Sequence, residues 1–222
     1  MEQDTDTLPL NQQVAIITGA SSGIGRGIAR AFAAAGTAVV AADINIADGQ
    51  ALVSELQSTA KQGLFVETDV RRESDLDRLV DETLRHFGRV DILVNNAGIN
   101  APDGLLGVSR ADIHSVFDTD LIGPFILTQR VAQEMVRSQV QGRILCISSI
   151  HSVVAHYHPY YSASKAGLER LVMDAALELA PYGIRVNGIR PGGIHISGPV
   201  EIGSPEIRSE EHTSELQSLA YL

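Results

Sequence analysis

The sequence has no tryptophan, one cysteine and three methionines, and its aromatic residues amount to only 5%. A lone Cys146 excludes an intramolecular disulfide and suits a reducing, cytoplasmic setting. Within "RILCIS" it reads as a small buried strand residue rather than a nucleophile. Also missing is any apolar run near the roughly 20 residues needed to span a bilayer, which argues against a membrane role. Basic charge is scarce: 17 Lys and Arg face 27 Asp and Glu, for a net charge of −10. An acidic surface attracts neither nucleic acid nor an anionic membrane, so this balance reads as solubility. The opening "MEQDTDTLPLNQQ" has neither the basic nor the apolar region of a signal peptide, and residues 1–12 read as a flexible lead-in. His151, His156 and His158 have no nearby Cys or carboxylate to complete a ligand set, so no metal is expected. Their stretch reads as a substrate-facing loop.

What the chain does have is alternation. Its 222 residues, 44% of them hydrophobic, suffice for one domain with a full core, expected over 13–207. Short apolar runs ("VAIIT", "AVVAAD", "LFVETDV", "VDILVNNAG", "GRILCISS", "IRVNGIRPG") alternate with amphipathic stretches, the pattern of a βαβ array. Leu76, Leu79, Val80, Thr83, Leu84 and Phe87 fall at helical spacing, with Ser74 as the expected N-cap. One long helix is expected over 113–139, another over 160–183. Strands apolar at nearly every position imply a sheet covered on both faces, hence parallel, with ligands at the carboxyl ends of its strands. The expected class is α/β, a Rossmann-like doubly wound parallel sheet.

The motifs sit at those ends. "TGASSGIGRG" follows the first strand: Gly19 permits a tight turn, Gly23 lets backbone approach a pyrophosphate, and Gly25 lets helix and strand pack closely. The helix N-terminus that follows, through Ser21, Ser22 and Ile24, offers unpaired N–H groups to phosphates. The spacing is G-x-x-x-G-x-G rather than the commoner G-x-G-x-x-G. Asp43 closes the second strand, where a carboxylate accepts ribose hydroxyls and repels a 2′-phosphate. No Lys or Arg follows in "DINIADG", which favours NAD over NADP. "YSASK" places Tyr161 and Lys165 on one helix face. A phenol is a poor base, but an adjacent ammonium favours phenolate; reaching working pH takes about 4 kcal/mol, which Lys165 and a cationic nicotinamide share.

In this order and spacing, "TGASSGIG", "NNAG", a serine closing the fifth strand, "YSASK" and "RPGG" resemble the short-chain dehydrogenase/reductase family, from about residue 14 to 193. The resemblance implies a sheet ordered 3-2-1-4-5-6-7, hydride transfer with NAD(P), and a Ser-Tyr-Lys core assisted by an Asn. It makes Tyr161 the general acid/base and Lys165 the ligand of the nicotinamide ribose. It also implies that Asp69 and Val70 flank the adenine, that Asn96, Ala97 and Gly98 line the cleft, and that Pro191, Gly192 and Ile194 lie near the nicotinamide. The serine that polarises the substrate carbonyl is Ser149 by strand alignment and Ser148 by the family's usual spacing to the tyrosine; strand register favours Ser149. One position departs. Where relatives carry an Asn that supports a water relay to the lysine, "DLIGPF" has Asp120, which adds a charge facing Lys165. The expectation is that the relay persists and activity is retained.

The resemblance also implies a small carbonyl or alcohol substrate of the 3-oxoacyl or sugar/polyol kind, and a homo-oligomer, dimer or tetramer. A non-catalytic dinucleotide sensor is the reading from another class, and the intact Ser149, Tyr161 and Lys165 argue against it. The family's seventh strand is expected to be missing, leaving 3-2-1-4-5-6. Residues 208–218 read, codon for codon, as one frame of a common sequencing adapter, so 208–222 is expected to be an artefactual tail on a truncated gene. An unpaired edge beside the sixth strand would then favour aggregation. The 222-residue chain expressed as written is expected to be poorly soluble or inactive, and a soluble tetramer with NAD-dependent turnover would overturn that.

Overall fold

A computed structural model describes residues 9–59, 61–100, 104–155 and 157–193. The expected tail over 208–222 and the expected role of Ile194 lie outside the described residues.

Among the described residues six strands form one parallel sheet: β1 (Val14–Thr18), β2 (Ala38–Asp43), β3 (Gly63–Glu67), β4 (Ile92–Asn95), β5 (Arg143–Ile147) and β6 (Arg185–Ile189). Their order is β3-β2-β1-β4-β5-β6, as the resemblance implies. Every residue of β1 is buried, because helices cover both faces. Side-chain alternation sorts the core accordingly. Ile16, Val40, Leu93 and Ile144 point to one side, with Leu76 and Leu79 of α3 (Glu73–Phe87), Leu127 and Met135 of α5 (Gly123–Arg137), and Leu168 of α6 (Pro159–Leu179). Ile17, Val39, Ala41 and Val94 point to the other, with Ala29 and Ala33 of α1 (Gly23–Ala34) and Leu52 and Leu56 of α2 (Ile46–Ser58). Cys146 sits inside β5, and burial pushes its thiol up to about 11, which makes it a poor nucleophile. No helix among the described residues is long and apolar enough to cross a membrane.

Two local expectations need correction. Ser74 is not the N-cap of α3: the helix starts at Glu73 after Arg72, and Ser74 lies in its first turn. The stretch 113–139 is not one regular helix. It starts earlier, as α4 (Arg110–Phe117), where Ser109 accepts from the Asp112 N–H at 3.1 Å. A π-helical segment (Asp118–Ile122) follows, and α5 resumes at Gly123. The extra residue in that turn swings Asp120 into the interior, where it is fully buried.

Candidate active site

The carboxyl ends of β1, β2, β4 and β5 open into one cavity of about 720 Å3. At one end stands the turn from β1 into α1. Gly19 adopts φ +64°, a conformation that disfavours a side chain, and the cavity wall continues through Ser22, Gly23 and Ile24. Ser22 caps α1 without a side-chain hydrogen bond, unlike Asn45 on α2 and Ser109 on α4. The first turn of α1 therefore keeps N–H groups for an anionic ligand. Gly25 does not face the cavity. A Cβ there would lie 2.1 Å from the Gly19 carbonyl and 2.5 Å from Asn96 Nδ2, so this glycine lets the helix close onto the turn. Gly25→Ala is expected to cost about 1–3 kcal/mol by overpacking and to weaken nucleotide binding together with it. Thermal melts and NADH fluorescence titration check this, and an unchanged affinity would contradict it.

Asp43 lines the cavity and also shapes it: Oδ2 accepts from the Ser21 N–H and Oδ1 from the Asn45 N–H, each at 2.9 Å. Ser21 itself turns away, its hydroxyl donating to Asn45 O at 3.3 Å. Along the wall come Asp69 and Val70, then Asn96, Ala97 and Gly98. The Asp69 carboxylate is held by Arg71 at 2.8 and 2.7 Å, which lowers its pKa. Thr18 ties the two glycine motifs together. Its Oγ1 accepts the N–H groups of Asn96 and Ala97, both at 3.0 Å, while Asn96 Nδ2 donates to Thr18 O at 2.9 Å and Gly19 O at 3.1 Å.

The other end holds the titratable groups. Tyr161, Lys165, Ser148, Ser149, Pro191 and Gly192 line it. Lys165 Nζ stands 5.7 Å from the Tyr161 ring centroid and donates to Ile147 O at 3.3 Å. Asp120 lies behind it, outside the cavity wall, with Oδ2 3.3 Å from Lys165 Nζ and Oδ1 accepting from the Ile99 N–H at 2.8 Å. The Oδ2 contact is an ion pair by distance but is not aligned as a hydrogen bond. Burial raises the Asp120 carboxyl above its ordinary range, opposed by the Lys165 ammonium and the Ile99 N–H. The two serines differ. Ser148 donates its proton to Glu169 Oε1 at 2.9 Å, whereas Ser149 Oγ accepts from the His151 N–H at 3.2 Å, which leaves its own proton to donate.

Sequence reasoning did not single out Ile44, Thr68, Arg71, Ile99, Asn100 and Thr119, which also form the wall. His151 lines it too, His158 sits at the N-cap of α6 with Nδ1 2.9 Å from Tyr160 Oη, and His156 lies outside the described residues.

Comparison with known proteins bears on the family and the fold. Residues 13–202 match the family model described as short chain dehydrogenase. The chain is 37% identical over 213 residues to a 7alpha-hydroxysteroid dehydrogenase of Escherichia coli K12, covering 95% of this chain and 83% of that protein. It is 39% identical over 185 residues to a 3-oxoacyl-[acyl-carrier-protein] reductase of Synechocystis, covering 81% and 73%. Among solved structures, a short-chain type dehydrogenase/reductase from Mycobacterium marinum superposes with a TM-score of 0.78 at 32% identity, over 81% of this chain and 74% of that one. With its fold, its cavity and these relatives in agreement, the chain belongs to the short-chain dehydrogenase family and is an NAD(P)-dependent oxidoreductase of alcohol and carbonyl groups.

Proposed function

We propose that the protein prefers NAD to NADP and interconverts a secondary alcohol and its ketone, with Tyr161 as general acid/base, Ser149 as hydrogen-bond donor to the substrate oxygen, and Lys165 as the cation that stabilises phenolate and holds the nicotinamide ribose. The observation that carries this is one cavity lined by both the α1 N-terminal turn and the Ser149–Tyr161–Lys165 group. The residues fit a dinucleotide: uncapped N–H groups and glycines for the pyrophosphate, Asp43 for the adenine-side ribose, Val70 for the base and Pro191–Gly192 for the nicotinamide. When bound, that group supplies or accepts the hydride.

The chain's own work is then proton handling and orientation. Tyr161 moves a proton to or from the substrate oxygen, and Lys165, nine-tenths or more buried beside it, favours the phenolate form. Ser149 supports the role given to it because its proton is not committed to Glu169, as that of Ser148 is. Asp120 takes the place of a neutral amide and fixes Lys165 by charge. Turnover assays with NAD and NADP against a 7α-hydroxysteroid, a 3-hydroxyacyl thioester and a polyol test the reading. No turnover with any of these by soluble protein that binds NADH would contradict it.

Asp43 supports the cofactor preference, since its carboxylate stands at the cavity wall and, among the described residues, is hydrogen-bonded by backbone N–H groups rather than by a cation. A 2′-phosphate there meets like charge, so NADH is expected to bind at least about tenfold more tightly than NADPH, a gap of about 1.4 kcal/mol. Asp43→Asn narrows that ratio. Isothermal titration of both nucleotides measures it, and equal affinities in the unmodified protein would overturn the preference. Exposed Ile122 and Phe125 near the start of α5, with Met173 and Leu177 on α6, support a homo-oligomer built on these helices.

A further inference from the structure

Glu169 lies on α6 one turn beyond Lys165 and two beyond Tyr161, and it is not part of the cavity wall. Its carboxylate collects donors from two other segments. Ser148 donates to Oε1 at 2.9 Å, the Ser152 hydroxyl meets the same oxygen, and Arg190 closes on both oxygens through Nε and Nη2. Ser148 and Ser152 flank Ser149, and Ser152 Oγ also lies 2.7 Å from the Ser149 carbonyl. Arg190 directly precedes Pro191 and Gly192, which also line the cavity. One carboxylate thus gathers the three segments that carry the proton-handling end of the site.

We propose that Glu169 is a positioning residue that clamps the Ser149 turn and the Pro191–Gly192 wall onto the helix bearing Tyr161 and Lys165. This rests on the functional reading given to those residues above. Backbone bonds from Ser148 N to Ile189 O (2.8 Å) and from Ile150 N to Pro191 O (3.0 Å) already join the ends of β5 and β6 to each other. They do not join either end to α6. That third connection runs through Lys165 Nζ to Ile147 O, the Ser148 hydroxyl 3.4 Å from Lys165 O, and the several bonds of Glu169. An exposed ion pair contributes little, but this one is bidentate and the Glu169 side chain is only 14% exposed. Arg190, with help from Ser152 and Ser148, holds the Glu169 carboxyl down at about 2, so the charge is constant wherever the enzyme works. The device is a fixed tie rather than a pH switch.

The consequence is geometric. Misplacement of a reacting group by about 1 Å costs about a hundredfold in rate, and without Glu169 the Ser149 turn keeps only the Lys165 contacts, with Ile147 O and the Ser148 hydroxyl, as its hydrogen-bonded ties to α6 among the described residues. Steady-state kinetics of the full-length protein, with NAD and the best alcohol of the panel above, test this. Glu169→Gln and Arg190→Met are each expected to lower kcat about ten- to a hundredfold while KM for NAD stays within about twofold, because the adenine half is held by α1 and Asp43. The double variant should be no slower than the slower single one, because both substitutions open one clamp. Arg190→Met touches only an exposed side chain, so it reports even if the Glu169 variant folds poorly. A kcat within about twofold of the unmodified protein in folded Arg190→Met, or a lower melting temperature with kcat unchanged, overturns the proposal. If the unmodified protein turns over nothing in the panel, the dehydrogenase reading fails, and the clamp with it, before any variant is compared.

Discussion

Tyr161→Phe is expected to lower turnover about 10²- to 10⁴-fold, the usual range for loss of a general acid/base, with NADH binding unchanged. The substitution removes one oxygen and keeps the ring that Lys165 faces at 5.7 Å, so Lys165 retains its contacts with Asp120 and Ile147. In the proposed mechanism Ser149 still holds the substrate oxygen, and only the proton transfer is lost. The neighbouring phenol is an internal control. Tyr160 is buried against Val116, with its oxygen 2.9 Å from His158 Nδ1, and it does not line the cavity. Tyr160→Phe should therefore leave turnover within about tenfold of the unmodified protein. Stopped-flow hydride transfer and NADH fluorescence separate chemistry from binding. If Tyr161→Phe stays within tenfold, or Tyr160→Phe causes the large loss instead, the assignment of the phenol is wrong.

The sheet could be read from the sequence because its strands are buried on both faces, which leaves an unbroken apolar run wherever β1, β2 or β4 lies. The cavity wall was legible where a residue type has a chemical reason of its own: glycine at a positive φ, a carboxylate at the end of β2, a Tyr and a Lys one turn apart. Arg71 and Thr119 carry no such mark. They reach the wall because Arg71 binds Asp69 and because the π-helical segment turns Thr119 inward, with its hydroxyl on Ser115 O. That segment escaped the pattern for a physical reason. One added residue barely disturbs the apolar period around it, and its stabilising contacts come from Ile99 and Lys165, distant in sequence. Glu169 was hidden in the same way, since a lone Glu inside "KAGLERLV" looks like a solvated helix face until Arg190 and the two serines are brought to it.

Asp120 was visible in the sequence as a departure from the family's pattern, and its structural setting allows the second large prediction. Asp120→Ala is expected to cost about 3–5 kcal/mol in stability, because it leaves the Lys165 ammonium buried with only the Ile147 carbonyl and takes the acceptor from the Ile99 N–H. Urea denaturation measures this, and a loss below about 1 kcal/mol would show the pair to be dispensable. Asp120→Asn keeps the acceptor for Ile99 and alters mainly charge. Both Asp120 oxygens face donors, the Ile99 N–H and the ammonium, so the site is built for the anion even though burial opposes it. Turnover of the Asn variant at its optimum is expected within about tenfold of the unmodified protein. Burial also gives Asp120 a stability signature of definite sign. Its raised pKa means that the folded state holds the proton more tightly than the unfolded chain, so this group favours folding at low pH and loses that contribution as pH rises through its titration. The Asn variant should lack that slope. A stability profile of the Asn variant that still falls with pH over the same range shows that the slope belongs to another group. A rise in turnover by orders of magnitude shows that the carboxylate hinders catalysis and that a neutral side chain is the better partner for Lys165.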